Sequence, residues 1–257
     1  MMDTVLILGM GYLGRPLATQ LVAIGTAVIG TYACTEPSDV VGIQVERCDI
    51  SEMAQGECPT HWQAAKTWVC LLPPSCSVDY VSALKKWLSW AEQYHIKQII
   101  YTSSTSVFSQ REGIVDEQST TMPMTESAQK IVAVEQAILQ SGVPHKTILR
   151  LAGLFDQQRH PVYRLAQRTE IDNGQQRINM VHREDAVAAL LHAIHTPEGT
   201  RLRHIVHPSH PTREQFYQQQ AALLGVALPS FQEGGLTGKI VQTIYQDFPI
   251  PCRGIDS

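Results

Sequence analysis

The sequence has no long apolar run and no excess of basic residues. Its 257 residues include 20 Lys and Arg against 24 Asp and Glu, for a formal net charge of −4. Nucleic-acid-binding domains usually carry a basic face, and a membrane span needs about 20 consecutive apolar residues. We therefore expect no nucleic-acid partner and no membrane span. Because residues 1–3 lead directly into an apolar strand, we also expect no signal peptide and a cytoplasmic location.

The cysteines lack the spacings of a disulfide framework or a zinc site. They stand at positions 34, 48, 58, 70, 76 and 252, and no two form a C-x-x-C pair. Several lie in or beside apolar runs, and no grouping of His, Cys, Asp and Glu has the spacing of metal ligands. We expect reduced, mostly buried thiols and no metal ion.

A glycine-rich turn follows the first apolar strand at once. Residues 4–8 read Thr-Val-Leu-Ile-Leu and residues 9–14 read Gly-Met-Gly-Tyr-Leu-Gly. In such a unit Gly9 allows the tight turn, Gly11 leaves room for a pyrophosphate, and Gly14 lets the next helix pack on the strand. Leucines at positions 13, 17 and 21 then recur at helical spacing. The pattern predicts a dinucleotide-binding βαβ unit; the alternative is a glycine-rich turn without a ligand.

Strands and helices alternate along the chain up to about residue 152. Strand-like runs lie at residues 26–32, 42–48, 67–72, 98–102 and 145–151, with helical patterns at 81–91 and 125–140. This order predicts an α/β fold with a Rossmann-type, doubly wound parallel sheet, which binds its ligand beyond the carboxyl ends of the strands. The strand at 145–151 is expected to close the sheet.

After residue 152 the pattern changes to loops, helical patterns at 184–195 and 213–224, and a short strand at 204–207. We therefore expect a dinucleotide-binding domain at residues 1–152 and a small C-terminal substrate lobe at residues 153–257 packed on it. Clefts between such parts commonly hold a small-molecule substrate. A homodimer is a further expectation.

Several short segments, taken in order, resemble one known family. Besides the glycine motif they are Asp49-Ile50, Leu-Pro-Pro at 72–74, Ser-Ser-Thr-Ser-Val-Phe at 103–108, Val-Asp-Glu at 115–117, residues 134–139, Arg-Leu-Ala-Gly-Leu-Phe at 150–155 and Val-His-Arg-Glu-Asp-Ala at 181–186. Each is weak alone, but their order and spacing resemble the extended and atypical short-chain dehydrogenase/reductase superfamily. The likeness covers nearly the whole chain and is strongest to its NAD(P)-dependent nucleotide-sugar epimerase/dehydratase-like branch.

The resemblance implies roles for individual residues. Asp49 and Ile50 match a pair that contacts the adenine, and Leu72 and Pro73 match a loop over the dinucleotide. Ser104 matches the serine that hydrogen-bonds the reacting oxygen of the substrate. The predicted cofactor site comprises Gly9, Gly11, Tyr12, Leu13, Gly14, Thr31, Asp49, Ile50, Leu72, Pro73, Pro74, Thr102 and Ser103. On the residues alone, Asp49 could merely terminate a strand, and the serines could form an ordinary polar turn.

The family's proton-transfer pair is missing. Family members use a tyrosine, four residues before a lysine, as general acid/base, and registering the helix on residues 134–136 places Ser127 and Ile131 there. Lys130 lies one residue away, about 100° around the helix, and is expected to point elsewhere. Tyr101 and Tyr163 are candidates to move the proton instead.

The cofactor's ribose site is also atypical. The second predicted strand ends in Thr31-Tyr32-Ala33-Cys34, with neither the acid typical of NAD sites nor the arginine typical of NADP sites. Arg15 could supply a cation, although it could equally be a solvated helix residue. The expected cofactor is NAD(P), with a slight lean to NADP.

Other charged residues allow two interpretations. His182 and Asp185 match a family signature on the substrate side, or they form a helix-entry hydrogen bond. Arg159 and Arg164 could face a phosphorylated substrate or lie as exposed loop charges. Two functions follow: an NAD(P)-dependent oxidoreductase or epimerase-like protein acting on a nucleotide-sugar or similar small molecule, or a non-catalytic dinucleotide-binding sensor. Without the usual pair, turnover on sugar nucleotides is expected to be absent or very slow.

Overall fold

The computed structural model of the chain describes residues 4–37, 41–109, 111–232, 235 and 237–255. Its strands are β1 Thr4–Leu8, β2 Ala27–Tyr32, β3 Gln44–Arg47, β4 Thr67–Cys70, β5 Gln98–Ser104, β6 Gly113–Val115, β7 His145–Leu151, β8 Gly153–Phe155, β9 Met180–His182, β10 Thr200–Ile205 and β11 Lys239–Val241. Its helices are α1 Gly14–Ala23, α2 Ile50–Met53, α3 Tyr80–Gln93, α4 Glu126–Gln140, α5 Val162–Leu165, α6 Arg183–His195 and α7 Arg213–Leu224.

Seven parallel strands form the central sheet, in the spatial order β10-β7-β5-β4-β1-β2-β3. The strand order reverses between β1 and β4, so the crossovers run outward in both directions from that point. The predicted doubly wound α/β fold is confirmed. In such sheets the ligand lies at the carboxyl ends of the strands beside the reversal.

Strand β1 shows why both faces of the sheet are covered. Its residues are apolar without interruption, and alternate side chains enter different cores: Val5 and Ile7 pack with α1 and α6, whereas Leu6 and Leu8 pack with α3 and α4. Successive side chains of a strand point to opposite faces, so a continuous apolar run requires a helix layer on each side.

The prediction that residues 145–151 close the sheet is wrong. Strand β10 pairs outside β7, with Thr200 beside Lys146 and Ile205 beside Leu151. Helix α6 also packs against α1 and β5. The chain after residue 152 therefore supplies an edge strand and a helix of the main layer, because β7 still has an open edge and α6 covers the same face as α1.

The remaining C-terminal part forms a smaller unit around a third apolar cluster, whose members include Phe155, Val162, Ile171 and Phe216. Two short parallel pairs accompany it, β8 with β9 and β6 with β11. The second pair joins a loop after β5 to a segment near the end of the chain. This arrangement places residues far apart in sequence beside the carboxyl end of β5.

The prediction of mostly buried cysteines is wrong. Cys58 and Cys70 are buried, Cys48 and Cys252 are partly exposed, and two others, Cys34 and Cys76, are exposed. Burial raises the pKa of the Cys70 thiol to about 12. Within the described ranges, no helix is long and apolar enough to cross a membrane.

Candidate active site

A cavity of about 590 Å³ lies at the carboxyl ends of β1, β4, β5 and β7. We call it the glycine-loop cavity. It is lined by Gly9, Gly11, Tyr12, Leu13, Leu71, Leu72, Pro73, Pro74, Thr102, Ser103, Ser104, Ile131, Leu151, Ala152, Gly153, Leu154 and Arg159. Ten of the residues predicted from the sequence thus lie together, among them Ser104. The lining is apolar and hydroxyl-bearing, and its charged side chain is Arg159.

The glycine loop has the tight geometry that its sequence predicts. Gly9 adopts φ +101°, a conformation that favours glycine. Its N–H donates to the Thr31 hydroxyl at 3.1 Å, and the N–H of Met10 donates to the Thr31 carbonyl at 2.7 Å. Thr31 is itself buried. Thr31 therefore anchors the glycine loop through these two hydrogen bonds and does not line the glycine-loop cavity.

Gly11 differs from the other two glycines of the motif. A Cβ atom on Gly14 would lie 2.2 Å from the Gly9 carbonyl oxygen, whereas a Cβ on Gly11 would have no described atom within 4 Å. The packing of this chain thus requires glycine at position 14 but not at position 11. Open space above a backbone at the start of α1 fits a phosphate group held by N–H groups.

Asp49 and Ile50 lie apart from the glycine-loop cavity. The Asp49 carboxylate accepts from the N–H of Ser51 at 2.9 Å and so caps α2, and Ile50 is buried beneath it. Asp49 lines a different, smaller cavity with Glu46, Arg47 and Glu52. The local capping that the residues alone allow is therefore present, and contact with an adenine stays a prediction.

Three consecutive hydroxyls at the end of β5 have different partners. Thr102 donates to the Cys70 carbonyl at 3.1 Å, and Ser103 donates to the buried Glu135 carboxylate at 2.5 Å. The Ser104 oxygen accepts from the N–H of Ser106 at 3.1 Å. Ser104 is only partly buried. Its proton stays available for a substrate oxygen, whereas the Ser103 hydroxyl is committed to Glu135.

Helix α4 presents isoleucine at the position where the resemblance implies a lysine. Ile131 lines the glycine-loop cavity, while Ser127 is exposed outside that lining. Lys130 turns away and pairs with Glu126 at 2.8 Å. The expectation that Lys130 points elsewhere is confirmed.

Neither tyrosine that we predicted to move a proton reaches Ser104. Tyr101 is fully buried, and its hydroxyl lies 2.9 Å from that of Tyr80 in the apolar layer under α3. The prediction for Tyr101 is therefore wrong, because its side chain points to the opposite face of β5. Tyr163 is exposed and donates to the Gln157 carbonyl at 3.2 Å.

Tyr12 joins the glycine loop to a charged cluster. The guanidinium of Arg159 lies 4.9 Å from the Tyr12 ring centre, and that of Arg183 lies 5.2 Å from it. Asp156 accepts from the N–H of Arg159 at 2.6 Å and pairs with Arg183 at 3.0 Å. Burial and then the nearby Asp156 raise the pKa of Tyr12. Tyr12 thus stays a neutral phenol, and the cluster positions Arg159 at the cavity wall.

Two further cavities adjoin the turn after β5. One of about 440 Å³ is lined by Ser104, Thr105, Ser106, Gly153, Gln176, Arg177, Ile178, Asn179, Met180, Arg213, Tyr217 and Lys239. The other, of about 660 Å³, shares four of these residues and adds Arg111 and Thr125. We call them the basic cavities, since no carboxylate is among their described lining residues. Ser104 and Gly153 line both the glycine-loop cavity and the 440 Å³ cavity.

Sequence reasoning missed the basic residues of these cavities. Arg111 lies after β5, Arg177 and Arg213 lie in the C-terminal unit, and Lys239 lies in β11. No local motif contains them, because loop crossings and the β6–β11 pair bring them together. The register of β11 on β6, with Lys239 beside Gly113, is the contact that positions the lysine.

The end of β2 has charged neighbours from other elements. Arg47 of β3 pairs with Tyr32 in the sheet, and its Nε donates to the Ala33 carbonyl at 3.3 Å. The Arg15 Nε donates to the Met10 carbonyl at 3.2 Å. An acid is also present, since a Glu36 carboxylate oxygen lies 3.5 Å from the Tyr32 hydroxyl. Arg15, Arg47 and Glu36 thus lie near the end of β2, where the cofactor's ribose is expected, and Arg47 also lines the cavity of Glu46, Asp49 and Glu52.

His182 and Asp185 have structural partners. The His182 Nδ1 accepts from the N–H of Glu184 at 3.3 Å, as a helix-entry bond. Asp185 is buried and accepts from the backbone N–H of Arg253 at 2.7 Å and from its guanidinium at 2.6 Å. This pair fastens the segment after β11 to α6. In the part of the chain that the structure describes, no three His, Cys, Asp or Glu side chains could hold a metal ion.

Comparison with known proteins gives a relative and a fold. No protein-family model matches the sequence. The chain is 33% identical to Protein YeeZ of Escherichia coli strain K12 over 247 residues, which cover 93% of this chain and 90% of YeeZ. This identity and coverage show common membership of one family.

Solved structures with the same fold include nucleotide-sugar complexes. MoeE5 in complex with UDP-glucuronic acid and NAD has a TM-score of 0.78 at 19% identity, with 94% of this chain and 90% of MoeE5 covered. UDP-glucuronic acid 4-epimerase from Bacillus cereus in complex with NAD has a TM-score of 0.76 at 16% identity, with 89% and 85% covered. The chain therefore belongs to the family of YeeZ and shares its fold with these nucleotide-sugar and NAD complexes.

Proposed function

We propose that the protein is an NAD(P)-dependent oxidoreductase or epimerase-like enzyme acting on a nucleotide-sugar or a similar anionic small molecule. One observation carries the proposal: Ser104 lines both the glycine-loop cavity and a basic cavity. A hydroxyl between a dinucleotide site and a site for an anionic molecule is placed to bind the oxygen at a reacting carbon. Serine is well suited to this position because it donates and accepts hydrogen bonds.

The residues of the glycine-loop cavity fit a dinucleotide. Gly11 leaves open space just before the start of α1, where a Cβ atom would otherwise project, and Arg159 adds a positive charge. Leu72 and Pro73 form an apolar wall. When bound, the nicotinamide would accept or return a hydride. The residues of the glycine-loop cavity would bind and orient the nicotinamide and exclude water from it.

The basic cavities support an anionic substrate. Arg111, Arg177, Arg213 and Lys239 line them, and no described lining residue is acidic. A phosphate or carboxylate gains charge-assisted hydrogen bonds from such groups. UDP-glucuronic acid, the nucleotide-sugar bound to MoeE5, carries both anionic groups and is the first substrate to test. A cytoplasmic location and a homodimer stay predictions.

The two arginines at the end of β2 support the lean to NADP. Arg47 and Arg15 each use Nε for a backbone carbonyl, which fixes both guanidinium groups near the expected ribose. A 2′-phosphate would gain charge-assisted hydrogen bonds there, and Glu36 would oppose it. Arg47 also lines the cavity of Glu46, Asp49 and Glu52, so the inferred preference for NADP(H) rests on the two guanidinium groups beside the expected ribose.

A non-catalytic sensor is the alternative function. The observation that favours it is Ile131, an apolar side chain in the cavity wall where the family has its lysine. A sensor would bind the dinucleotide and leave sugar nucleotides unchanged.

Binding and turnover together test these functions. Calorimetric titration with NADH and NADPH should show binding that Gly11→Val abolishes, while the melting temperature of the variant stays that of the wild type. Incubation with UDP-glucuronic acid or UDP-glucose and the oxidised cofactor should then yield reduced cofactor or an epimer. Binding without any product supports the sensor, and absence of binding to both dinucleotides overturns both functions.

A further inference from the structure

Lys239 is a lysine in a part of the chain to which the family pattern assigns no role. It lines both basic cavities, and it shares the 440 Å³ cavity with Ser104. We propose that Lys239 is the proton-carrying group of the reaction, in place of the missing tyrosine and lysine of α4. The proposal rests on the proposed catalytic function. It assigns a catalytic role to a residue that arrives from the opposite end of the chain.

A short hydrogen bond holds the Lys239 side chain in place. Its Nζ donates to the Ser109 carbonyl at 2.6 Å. Ser109 has φ +50°, an uncommon conformation for a residue with a side chain. Its hydroxyl stabilises this conformation by donating to the Met122 carbonyl at 2.6 Å and accepting from the N–H of Met124 at 3.1 Å. The strained residue thus presents a carbonyl that fixes the position of the Lys239 amine.

The surroundings of Lys239 favour its neutral form. Arg111 lines one of its cavities from the loop after β5, and Arg177 and Arg213 line the other from the C-terminal unit, where Asp172 pairs with Arg213 at 3.2 Å. Glu112, in the loop before β6, accepts from the N–H and hydroxyl of Thr237, two residues before Lys239. Burial lowers the pKa of Lys239. A lysine with this environment acts as a base closer to neutral pH than an exposed lysine does.

The other proton-bearing groups of the same cavities are poorer candidates. Arginine stays protonated at any working pH, so Arg111, Arg177 and Arg213 can bind an anion but cannot carry a proton. Burial raises the pKa of Tyr217, which makes its phenol harder to ionise. Among the described lining residues, Lys239 alone combines a titratable group with a shift toward neutrality.

The proposed step balances with an oxidised nicotinamide dinucleotide as the acceptor. The O–H bond of a substrate carbinol breaks, and the neutral Lys239 amine takes the proton to become an ammonium group. The carbinol C–H bond breaks with its electron pair as a hydride to the nicotinamide, and a C=O bond forms. Ser104 donates a hydrogen bond to the same oxygen. In the reverse direction the Lys239 ammonium returns the proton.

The protonation of Lys239 can be measured without any substrate. Competitive acetylation with acetic anhydride across a pH series, read by mass spectrometry, gives the pKa of individual lysines. Lys97 is exposed and serves as the internal reference. We expect Lys239 to titrate below Lys97 and so to have the larger neutral fraction at neutral pH. A Lys239 that titrates with or above Lys97 overturns the proposal.

Variants separate proton transfer from anion binding. Lys239→Met and Lys239→Arg should each lose about 10²–10⁴-fold in kcat with UDP-glucuronic acid, whereas Lys97→Met should keep the wild-type rate. Lys239→Arg retains the positive charge, so its KM and melting temperature should stay near those of the wild type. The acid limb of the wild-type pH–rate profile should be absent from its residual activity.

The possible outcomes distinguish this inference from the proposed function. If Lys239→Arg keeps the wild-type rate, Lys239 binds an anion and carries no proton. An active wild type with an active Lys239→Met variant of normal stability overturns the inference alone. A wild type that binds dinucleotide but turns over neither UDP-glucuronic acid nor UDP-glucose overturns the proposed catalysis and this inference together.

Discussion

A side chain on Gly14 would place its Cβ atom 2.2 Å from the carbonyl oxygen of Gly9. The first turn of α1 and the end of β1 therefore pack so closely that only glycine fits at position 14. We expect Gly14→Ala to destabilise the protein by about 1–3 kcal/mol, because the backbone must move to admit the methyl group. Gly11→Ala, with open space around the new Cβ, should leave stability almost unchanged. Thermal unfolding of both variants is the measurement, and equal melting temperatures would contradict the prediction.

We expect the buried ion pair between Glu135 and Arg150 to contribute strongly to the free energy of unfolding. Arg150 donates to both Glu135 oxygens, from Nε at 2.8 Å and from Nη2 at 2.7 Å, and Ser103 adds a third bond. Glu135→Gln removes the charge that compensates a buried guanidinium, so we expect a loss of about 3–5 kcal/mol in chemical denaturation. Glu126→Gln breaks the exposed pair with Lys130 on the same helix and should leave the denaturation midpoint unchanged. Similar midpoints for the two variants would show that water solvates the Arg150 guanidinium once the Glu135 charge is removed.

Arg47→Ala tests the form of the cofactor. If the Arg47 guanidinium binds the 2′-phosphate, the dissociation constant for NADPH should rise about 10- to 100-fold, which corresponds to a charged hydrogen bond of about 1.5–3 kcal/mol. The dissociation constant for NADH should stay the same. Arg168→Ala, at an exposed position on the C-terminal unit, is the control. A wild type that binds NADH about a hundredfold more tightly than NADPH would show that Glu36, or another acid, decides the choice.

His160 should make stability depend on pH. Burial lowers its pKa to about 4, despite the opposing charge of Asp156. The unfolded chain, with a histidine pKa near 6.5, therefore binds a proton that the folded chain rejects. The contribution of His160 to the free energy of unfolding is fully present above pH 6.5. It decreases as the pH drops toward 4, and up to about 3 kcal/mol is lost across that window.

The variant His160→Asn isolates this effect. The His160 Nδ1 accepts from the N–H of Val162 at 3.2 Å, and the amide oxygen of asparagine can take over that bond. Between pH 7 and 4.5 the free energy of unfolding should fall less in His160→Asn than in the wild type. Desolvation also lowers the pKa of the buried His204 and of the partly exposed His210, and their contribution cancels in the comparison. Parallel curves would mean that His160 is protonated in the folded protein.

The sequence predicts the central layers well because local and tertiary preferences agree there. Helix α4 was expected at residues 125–140 and occupies Glu126–Gln140, with the Thr125 side chain accepting from the N–H of Ala128 as its cap. Strand β7 was expected at 145–151 and has those bounds. In both elements the apolar period matches the buried face, and an N-cap or a glycine marks a boundary.

Strand β10 shows where sequence patterns fail. The sequence predicts a strand at 204–207, whereas β10 spans Thr200–Ile205 and includes Arg201 and Arg203. In the structure Arg201 is buried, lies over the ring of Phe248 and donates to the Thr196 carbonyl at 2.7 Å. The Nη2 of Arg203 donates to the Asp247 carboxylate at 2.7 Å. Asp247, which neutralises the Arg203 charge, lies 44 residues further along the chain, so no local window contains it.

The candidate site also has one part that the sequence predicts and one part that it does not. The glycine loop and Ser104 belong to strand ends that carry recognisable motifs, so they were placed from the sequence. The basic cavities depend on loops after β5 and on β11, whose residues carry no motif. Tyr101 was misplaced because alternation along β5 decides which face a side chain takes, and the assignment needs the register of the whole sheet.

The pairing of β6 with β11 has a consequence for the order in which the site assembles. Strands β1 and β2 are close neighbours in the chain, so the glycine loop can form early in folding. Lys239 reaches the site only when β11 docks on β6, and closing so long a loop carries a larger entropic cost. We therefore expect a folding chain to become competent for dinucleotide binding before it becomes competent for proton transfer. Recognition of the cofactor and the chemistry on the substrate would thus be acquired in separate steps.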